Sequence, residues 1–173
     1  MSRVDATAQP MPSADEAQAA RADACSIQAT LDVIGDRWTL LILRDVFRGV
    51  RRFSRIQGGL GIAKNLLTDR LAALVEAGVV EKVPYQDRPV RHEYRLTDKG
   101  RALSPALVAL MRWGDVWCRD DGAPTELVHD DCGTRLELQP WCTTCNEPVS
   151  PTRISSRPGP GRAQPEDTTH APS

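Results

Sequence analysis

Hydrophobic side chains follow two periods along this chain, and the change from one to the other outlines the fold. Up to residue 77 they recur every three or four positions, as they do in amphipathic helices. From Val79 to Leu96 they alternate with polar residues in two short runs, as they do in half-buried strands. After Thr97 the helical period returns and continues to Trp117. This order predicts several helices, an antiparallel hairpin and one long final helix.

The predicted helices differ in how much of their surface is apolar. Residues 37–47 carry apolar side chains on two faces, which predicts a central helix with Asp36 as its N-terminal cap. Residues 63–77 carry one stripe of leucines, which predicts a helix buried on one side and polar on the other. A shorter helix is predicted at residues 53–57, and the Gly-Gly-Leu-Gly segment 58–61 is predicted to be a turn.

The hairpin completes a larger unit. Its strands are predicted at residues 79–85 and 91–96, and the turn between them, residues 86–90, contains Pro89. Two helices joined by a glycine turn and followed by such a hairpin outline a winged helix-turn-helix. In that unit the second helix enters the DNA major groove, and the hairpin tip, called the wing, lies beside it. The predicted fold class is therefore mostly α with a small antiparallel β-wing.

Composition divides the chain into four parts. Residues 1–24 and 150–173 contain few large apolar side chains and are predicted to be disordered tails. Residues 25–122 are predicted to hold the DNA-binding and dimerisation domain, and residues 123–149 a short hairpin with cysteine and histidine. The chain shows no apolar run long enough for a membrane helix and no secretory signal, so a cytoplasmic protein is expected.

Charge is unevenly distributed, although the formal net charge is only −1. Residues 36–101 contain 14 Lys and Arg against 8 Asp and Glu, whereas both flanking segments are acidic. A basic centre is typical of a nucleic-acid-binding core, and an ordinary solvated surface is the alternative. The sequence shows no phosphate-binding glycine loop and no nucleophile with a His and an acid at a recognised spacing. An enzyme is therefore not expected.

The winged-helix interpretation assigns DNA contacts to polar side chains in three places. The outward face of the second helix offers groups that suit base edges and phosphates, from Lys64, Asn65, Thr68 and Arg70. The wing offers Arg88 and Arg91, of which Arg88 is placed to enter a minor groove. Phosphate contacts are expected further upstream from Arg51, Arg52 and Arg55. The alternative is a solvent-exposed surface, on which Arg70 braces the helix through Asp69 or Glu76.

Several motifs in this order carry a family resemblance, and the most specific are Cys25, Gly35 to Leu43, Arg52-Phe53, residues 62–74, Tyr85, Pro89, Arg91, Glu93 to Thr97, Gly100 and Trp113. In these motifs the chain resembles the HxlR-type winged-helix transcriptional regulators, which are similar in architecture to the MarR group. The resemblance covers residues 25–117. It implies a homodimer that binds an inverted-repeat DNA operator, usually as a repressor, and that responds to a small-molecule or oxidant effector. Ala63 departs from the family, in which a capping Ser is usual.

Cys25 stands at the start of a short predicted helix, which Ser26 caps, which carries Ile27, Leu31 and Ile34, and which Gly35 ends. The helix dipole favours the thiolate at this position. The resemblance implies that this thiol senses oxidants or electrophiles, and its oxidation would link it to a thiol of the partner subunit. Cys118 is one candidate for that second thiol, and the alternative is that Cys118 only ends the last helix. The alternative is that Cys25 is a small buried hydrophobic residue.

The segment 123–149 contains four residues with metal-ligand chemistry, His129, Cys132, Cys142 and Cys145. Two pairs, each with its members three positions apart, match a tetrahedral Cys3His zinc site of a zinc-ribbon-like hairpin. Four protein ligands leave no open position, so the zinc would be structural. The alternatives are a redox disulfide between Cys142 and Cys145, or a loose segment without a metal.

These observations predict a dimeric DNA-binding transcriptional regulator. The alternative function is a protein-interaction adaptor that uses the winged helix and the Cys/His hairpin to bind other proteins.

Overall fold

Helices form most of the regular structure of residues 25–157 and 159–160, which are the residues described by this computed structural model. The helices are α1 (Ser26–Ile34), α2 (Arg37–Phe47), α3 (Phe53–Leu60), α4 (Lys64–Glu76), α5 (Asp98–Arg101) and α6 (Ser104–Trp117). The strands are β1 (Val80–Asp87), β2 (Val90–Leu96), β3 (Trp141–Cys142) and β4 (Glu147–Pro148). The mostly helical fold with a small antiparallel hairpin confirms the predicted class.

The core lies around α2, which contacts α3, α4, β2 and α6. Its buried side chains come from α2, α3, α4 and the start of β1, and include Ile42, Leu43, Ile56, Leu67, Leu71, Leu74, Val79 and Val80. Asp36 caps α2, since its Oδ1 accepts hydrogen bonds from the backbone N–H of Trp38 at 2.9 Å and of Thr39 at 3.2 Å. The central position and the cap of α2 were both predicted.

The helix-turn-helix consists of α3, a short turn and α4. The prediction that the first helix ends at Gln57 is wrong, because α3 continues through Gly58 and Gly59 to Leu60. Gly61 caps the end of α3 with a φ of 62°, which belongs to the left-handed region. The turn before α4 is thus shorter than predicted, and Ala63 precedes α4 without a side-chain cap.

The wing is the antiparallel pair β1–β2. The prediction of a turn at residues 86–90 is too long, because pairing continues to Asp87 and Val90 and leaves only Arg88 and Pro89 between the strands. The pairing shifts register between Pro84 and Gln86. A single residue of the preceding loop, Arg52, adds a bridge to β2.

The predicted long final helix is two helices, because Pro105 lies in the first turn of α6 and α5 ends at Arg101. Thr97 caps α5 by accepting the N–H of Gly100 at 3.1 Å. Gly100 permits close packing, because a Cβ added there would lie 2.1 Å from the carbonyl oxygen of Val79.

The region after α6 belongs to the same unit as the winged helix, which spans Thr30–Ile154. The predicted single hairpin is corrected to two small turns: one is closed by a bridge between Val128 and Arg135, and the other by β3 and β4. A 3-10 turn, Pro151–Arg153, lies in the segment predicted to be a disordered tail. The predicted N-terminal tail, residues 1–24, and residues 158 and 161–173 lie outside the described residues.

No helix among residues 25–157 and 159–160 combines the length and the apolar character that crossing a bilayer requires.

Candidate nucleic-acid interface

The polar face of α4 is exposed along its first two turns. The opposite side of the helix is buried, since Leu67, Leu71 and Leu74 are each at most 1% exposed. Lys64, Asn65 and Thr68 are all exposed, as the sequence predicted. The Thr68 hydroxyl donates a hydrogen bond to the carbonyl oxygen of Lys64 at 2.9 Å, so its methyl group and lone pairs remain for an outside partner.

Arg70 is bound within the domain. Its Nε lies 3.3 Å from Oδ1 of Asp36, which makes an ion pair, although the atom meets no hydrogen-bond geometry. The partner of Arg70 is therefore Asp36 and not Asp69 or Glu76, the acidic residues near Arg70 in the sequence. Burial would raise the pKa of Asp36, but hydrogen bonds from Thr39, the charge of Arg70 and the Trp38 N–H together hold that pKa below its ordinary value. Arg70 thus joins the middle of α4 to the N-terminal cap of α2.

The C-terminal end of α4 is also anchored. Nζ of Lys99 donates a hydrogen bond to the carbonyl oxygen of Ala77 at 2.8 Å, and Oγ1 of Thr97 donates to that of Gly78 at 2.6 Å. Since Arg70 fixes the middle of the helix, α4 presents its polar face from a rigid support. The three contacts join residues that are 19 to 34 positions apart in the sequence. The helical spacing of apolar residues could not predict them.

The wing tip carries the two predicted arginines, Arg88 and Arg91, and both are exposed. The backbone of the tip is held by the Gln86 side chain, whose Nε2 donates to the carbonyl oxygen of Arg88 at 3.0 Å. The next arginine along β2, Arg95, instead forms an ion pair with Glu93 at 2.5 Å.

An open basic cavity of about 400 Å³ lies beside the wing and is lined by Gly49, Arg51, Arg52, Arg55 and Glu93. The three predicted upstream arginines therefore share one surface, although they have different surroundings. The guanidinium of Arg52 stacks over the Tyr85 ring at 4.7 Å from its centroid. The backbone carbonyl of Arg51 accepts the N–H of Tyr94 at 2.8 Å. Arg52 thereby ties the loop before α3 to the wing, and Tyr85 is a site residue that charge patterning alone did not identify.

The Cys25 thiol is exposed and free, and its backbone carbonyl accepts the first helical hydrogen bond of α1, from Ala29 N–H at 3.1 Å. This position agrees with the predicted placement at a helix start, and the exposure argues against a buried hydrophobic role. Cys118, which follows α6, is also exposed and free.

The four predicted metal ligands form two pairs. Nδ1 of His129 lies 3.3 Å from Sγ of Cys132. Hydrogen bonds from the side chain and backbone of Thr134 lower the pKa of the Cys132 thiol. Hydrogen bonds from the backbone and thiol of Cys145 and from the backbone of Thr144 lower the pKa of the Cys142 thiol. Within residues 25–157 and 159–160, no three His, Cys, Asp or Glu side chains are arranged to hold a metal ion. The structure thus forms the two pairs and does not bring them together.

Comparison with known proteins places this geometry in a family. Residues 33–122 match the family model described as HxlR-like helix-turn-helix. A Mycobacterium tuberculosis protein described as an uncharacterized HTH-type transcriptional regulator is 46% identical over 137 residues, which cover 79% of this chain and 87% of that protein. The crystal structure of PA1607, a proposed transcription factor, superposes with a TM-score of 0.71 at 41% identity and covers 80% of this chain and 97% of its own. The redox regulator HypR in its oxidized form superposes with a TM-score of 0.51 at 32% identity, over 56% of this chain and 99% of HypR. The chain therefore belongs to the HxlR-like helix-turn-helix family.

Proposed function

We propose that this protein is a transcriptional regulator that binds double-stranded DNA through α4 and the wing. The observation that carries the proposal is the exposed polar face of α4, on a helix held at its middle by Asp36 and at its end by Thr97 and Lys99. A rigid helix that offers polar side chains is what major-groove recognition requires.

Each predicted side chain takes a role that follows from its contacts. Lys64 and Asn65, exposed at the start of α4, are assigned to base edges or nearby phosphates. Thr68 offers its methyl group to a thymine, because its hydroxyl proton is already donated. Arg70 is assigned to positioning α4, because it is paired with Asp36.

The wing and the basic cavity supply sequence-independent contacts. Arg88 and Arg91 at the exposed tip are assigned to the minor groove beside the helix. Arg51 and Arg55 line the basic cavity and are assigned to phosphates. Arg52 also lines it, but its stacking on Tyr85 assigns it to orienting the wing as well.

A homodimer is supported by exposed apolar side chains on two helices. On α6, Leu110, Trp113 and Trp117 lie three and four positions apart and are 55%, 60% and 73% exposed. On α1, Ile27 and Leu31 are 68% and 55% exposed. Large apolar side chains that are exposed on one helix are typical of a protein interface. A two-fold dimer presents its two α4 helices in opposite directions, which is why we assign an inverted-repeat operator.

Occupying such a site in a promoter would repress transcription. We place the protein in the cytoplasm with its DNA.

Control by an oxidant is assigned to Cys25, whose thiol is exposed at the start of α1. In the step we propose, Cys25 of one protomer and a thiol of the other lose two electrons and two protons to a peroxide or quinone and form a disulfide. That bond would change the spacing of the two α4 helices and release the operator. The relationship to HypR supports this assignment, since that protein is a redox regulator.

The DNA contacts are tested by fluorescence anisotropy with the DNA upstream of the protein's own gene over a range of salt concentrations. We expect Lys64→Ala and Asn65→Ala to weaken specific binding by about 1–3 kcal/mol if they contact base edges. Arg51→Ala should instead weaken binding to all sequences and lower the salt slope by about 1. Arg153→Ala, an exposed arginine in the 3-10 turn, is the control. A wild-type protein that binds no DNA even at low salt would contradict the proposal and favour the adaptor alternative.

The redox step is tested on the same complex with Cys25→Ser and Cys118→Ser. We expect the oxidant to release wild-type protein and to leave Cys25→Ser bound. Cys118→Ser identifies the second thiol: a variant that stays bound would assign this role to Cys118, and a variant that is released would exclude Cys118 from it. Equal release of all three would remove Cys25 from the sensing role and leave DNA binding itself unaffected.

A further inference from the structure

The segment 123–149 has two ordered turns but no core. None of its side chains is buried, and Val128, Leu136, Leu138 and Trp141 are among the exposed apolar residues. A segment this short without buried apolar surface needs another source of folding free energy, such as a disulfide or a metal. The cysteines of this segment are free thiols in the structure.

The two turns share one backbone design. In the first, the N–H of Gly133 donates to the carbonyl oxygen of His129 at 2.8 Å, and Gly133 has a φ of 68°. In the second, the N–H of Asn146 donates to the carbonyl oxygen of Cys142 at 2.8 Å, and Asn146 has a φ of 54°. Among the described residues, Asn146 is the one non-glycine residue with positive φ. A left-handed backbone conformation thus follows the last cysteine of each turn, at Gly133 after Cys132 and at Asn146 after Cys145.

Polar groups contact the nitrogen and sulfur atoms of each turn. Nδ1 of His129 faces Sγ of Cys132, while its Nε2 lies 3.5 Å from a carboxylate oxygen of Asp131. A metal-binding histidine usually donates its other ring N–H to a carboxylate in this way, which fixes the tautomer and the ring orientation. Around the second turn, the backbone groups of Cys145 and Thr144 hydrogen-bond to the sulfur of Cys142.

We propose that the two turns are the halves of one structural Zn²⁺ site, with Nδ1 of His129 and the sulfurs of Cys132, Cys142 and Cys145 as its ligands. Zn²⁺ binding draws the two preformed pairs together and thereby folds the segment. Three thiols release three protons on binding, the imidazole stays neutral, and the centre carries a net charge of −1. All four positions are filled by the protein, so the site has no open position for chemistry.

The segment that the zinc would organise packs on α6. Side chains of both line one small cavity of about 10 Å³. Those from α6 are Val108, Met111, Arg112 and Asp115, and those from the segment are Thr125, Leu127 and Leu136. Two backbone hydrogen bonds close this part of the segment, from Leu136 N–H to the carbonyl oxygen of Leu127 at 2.8 Å and from His129 N–H to that of Thr134 at 2.8 Å. We expect metal loss to loosen residues 123–149 and leave the core of the winged helix folded.

The first test is elemental analysis of full-length protein purified without added chelator. We expect about one zinc per chain in the wild type and in the control variants Cys25→Ser and Cys118→Ser, whose sulfurs lie outside both turns. Cys132→Ser and the double variant Cys142→Ser/Cys145→Ser should contain far less. Zinc in the wild type no higher than in the double variant would overturn the proposal.

The second test replaces zinc with Co²⁺ and records the visible absorption of a tetrahedral thiolate site. His129→Cys should keep the tetrahedral spectrum because it restores a fourth ligand, whereas Asp131→Asn should weaken metal affinity by about tenfold because it removes the orienting carboxylate. Far-ultraviolet circular dichroism verifies that each variant is folded. A spectrum without tetrahedral bands in folded wild-type protein would overturn the proposal. A Cys142–Cys145 disulfide in protein purified without oxygen would do the same and establish the redox alternative.

Discussion

Arg70 illustrates how the contacts of one residue decide its role. The side chain belongs to α4, and its sequence position predicts a DNA contact as strongly as that of Lys64. In the structure its guanidinium lies against Asp36, which also caps α2. Losing a positioning residue should weaken binding to every DNA sequence about equally, whereas losing Asn65 should change which base is preferred.

The charge of Asp36 should make stability depend on acid. The pKa of this carboxyl lies below its ordinary value of 3.8 in the folded protein. Its charge therefore stabilises the fold above that ordinary range, and the stabilisation is lost as the pH falls through the folded-state pKa. Between about pH 6 and pH 3, urea unfolding should show a larger loss of stability for the wild type than for Asp36→Asn, because Asn caps a helix about as well as Asp but carries no charge.

Asp32→Asn is the matched control, because Asp32 is an exposed carboxyl on α1. It should follow the wild-type pH dependence. Parallel curves for the wild type and Asp36→Asn would show that the Asp36 charge does not support the fold.

At the scale of elements, the sequence predicts what depends on local chemistry. The cap at Asp36, the leucine stripe of α4 and the strand alternation each follow from neighbours a few positions away, and each is present. The turn predicted from Gly58 and Gly59 was wrong. Burial of Ile56 and packing of Leu60 outweigh the helix propensity cost of about 1 kcal/mol per glycine, so α3 continues through both residues. Pro105 could have predicted the break between α5 and α6. The apolar side chains keep their helical spacing across it, however, and this spacing predicted one continuous helix.

The site shows the same limit. Exposure of Lys64, Asn65 and Thr68 follows from the helix period, whereas the partners of Arg70, Arg52 and Lys99 come from distant segments. Such pairs cannot be predicted from the sequence spacing alone, because only the folded structure brings the partners together. The spacing of the Cys and His residues likewise predicted the proximity of His129 to Cys132 and of Cys142 to Cys145, but the described residues do not form the single four-residue group that the spacing also predicted.

Gly100 should be the most sensitive position of the connection between the wing and α6. A methyl group there would meet the Val79 carbonyl at 2.1 Å, so Gly100→Ala must displace α5 from the start of β1. We expect a loss of stability of about 2 kcal/mol or more in urea unfolding. Gly58→Ala is the opposite control, because Gly58 lies in α3 with no atom near its added methyl, and should stabilise the fold by about 0.5–1 kcal/mol. Equal effects at both positions would refute the close-packing argument.

At the scale of the whole molecule, the chemistry is divided between different elements. Exposed arginines and polar residues lie on α4, on the wing and around the basic cavity, whereas exposed apolar residues lie on α6 and α1. The Cys/His segment packs on α6 and is not part of the basic surface. The proposed DNA contacts and the proposed dimer interface therefore lie on different elements, so substitutions can test them separately.

Trp113→Asp should separate them. Trp113 is 60% exposed on α6, so the change should leave the protomer folded but place a charge in the proposed dimer interface. Light scattering should show a monomer, and operator affinity should fall by about 10²-fold, because two linked half-sites bind far more tightly than one. Ile154→Asp, which changes an equally exposed apolar residue after the 3-10 turn, should remain dimeric. A Trp113→Asp protein that stays dimeric would show that α6 does not form the dimer interface. A variant that is monomeric but binds the operator at full affinity would show that operator binding does not require a dimer.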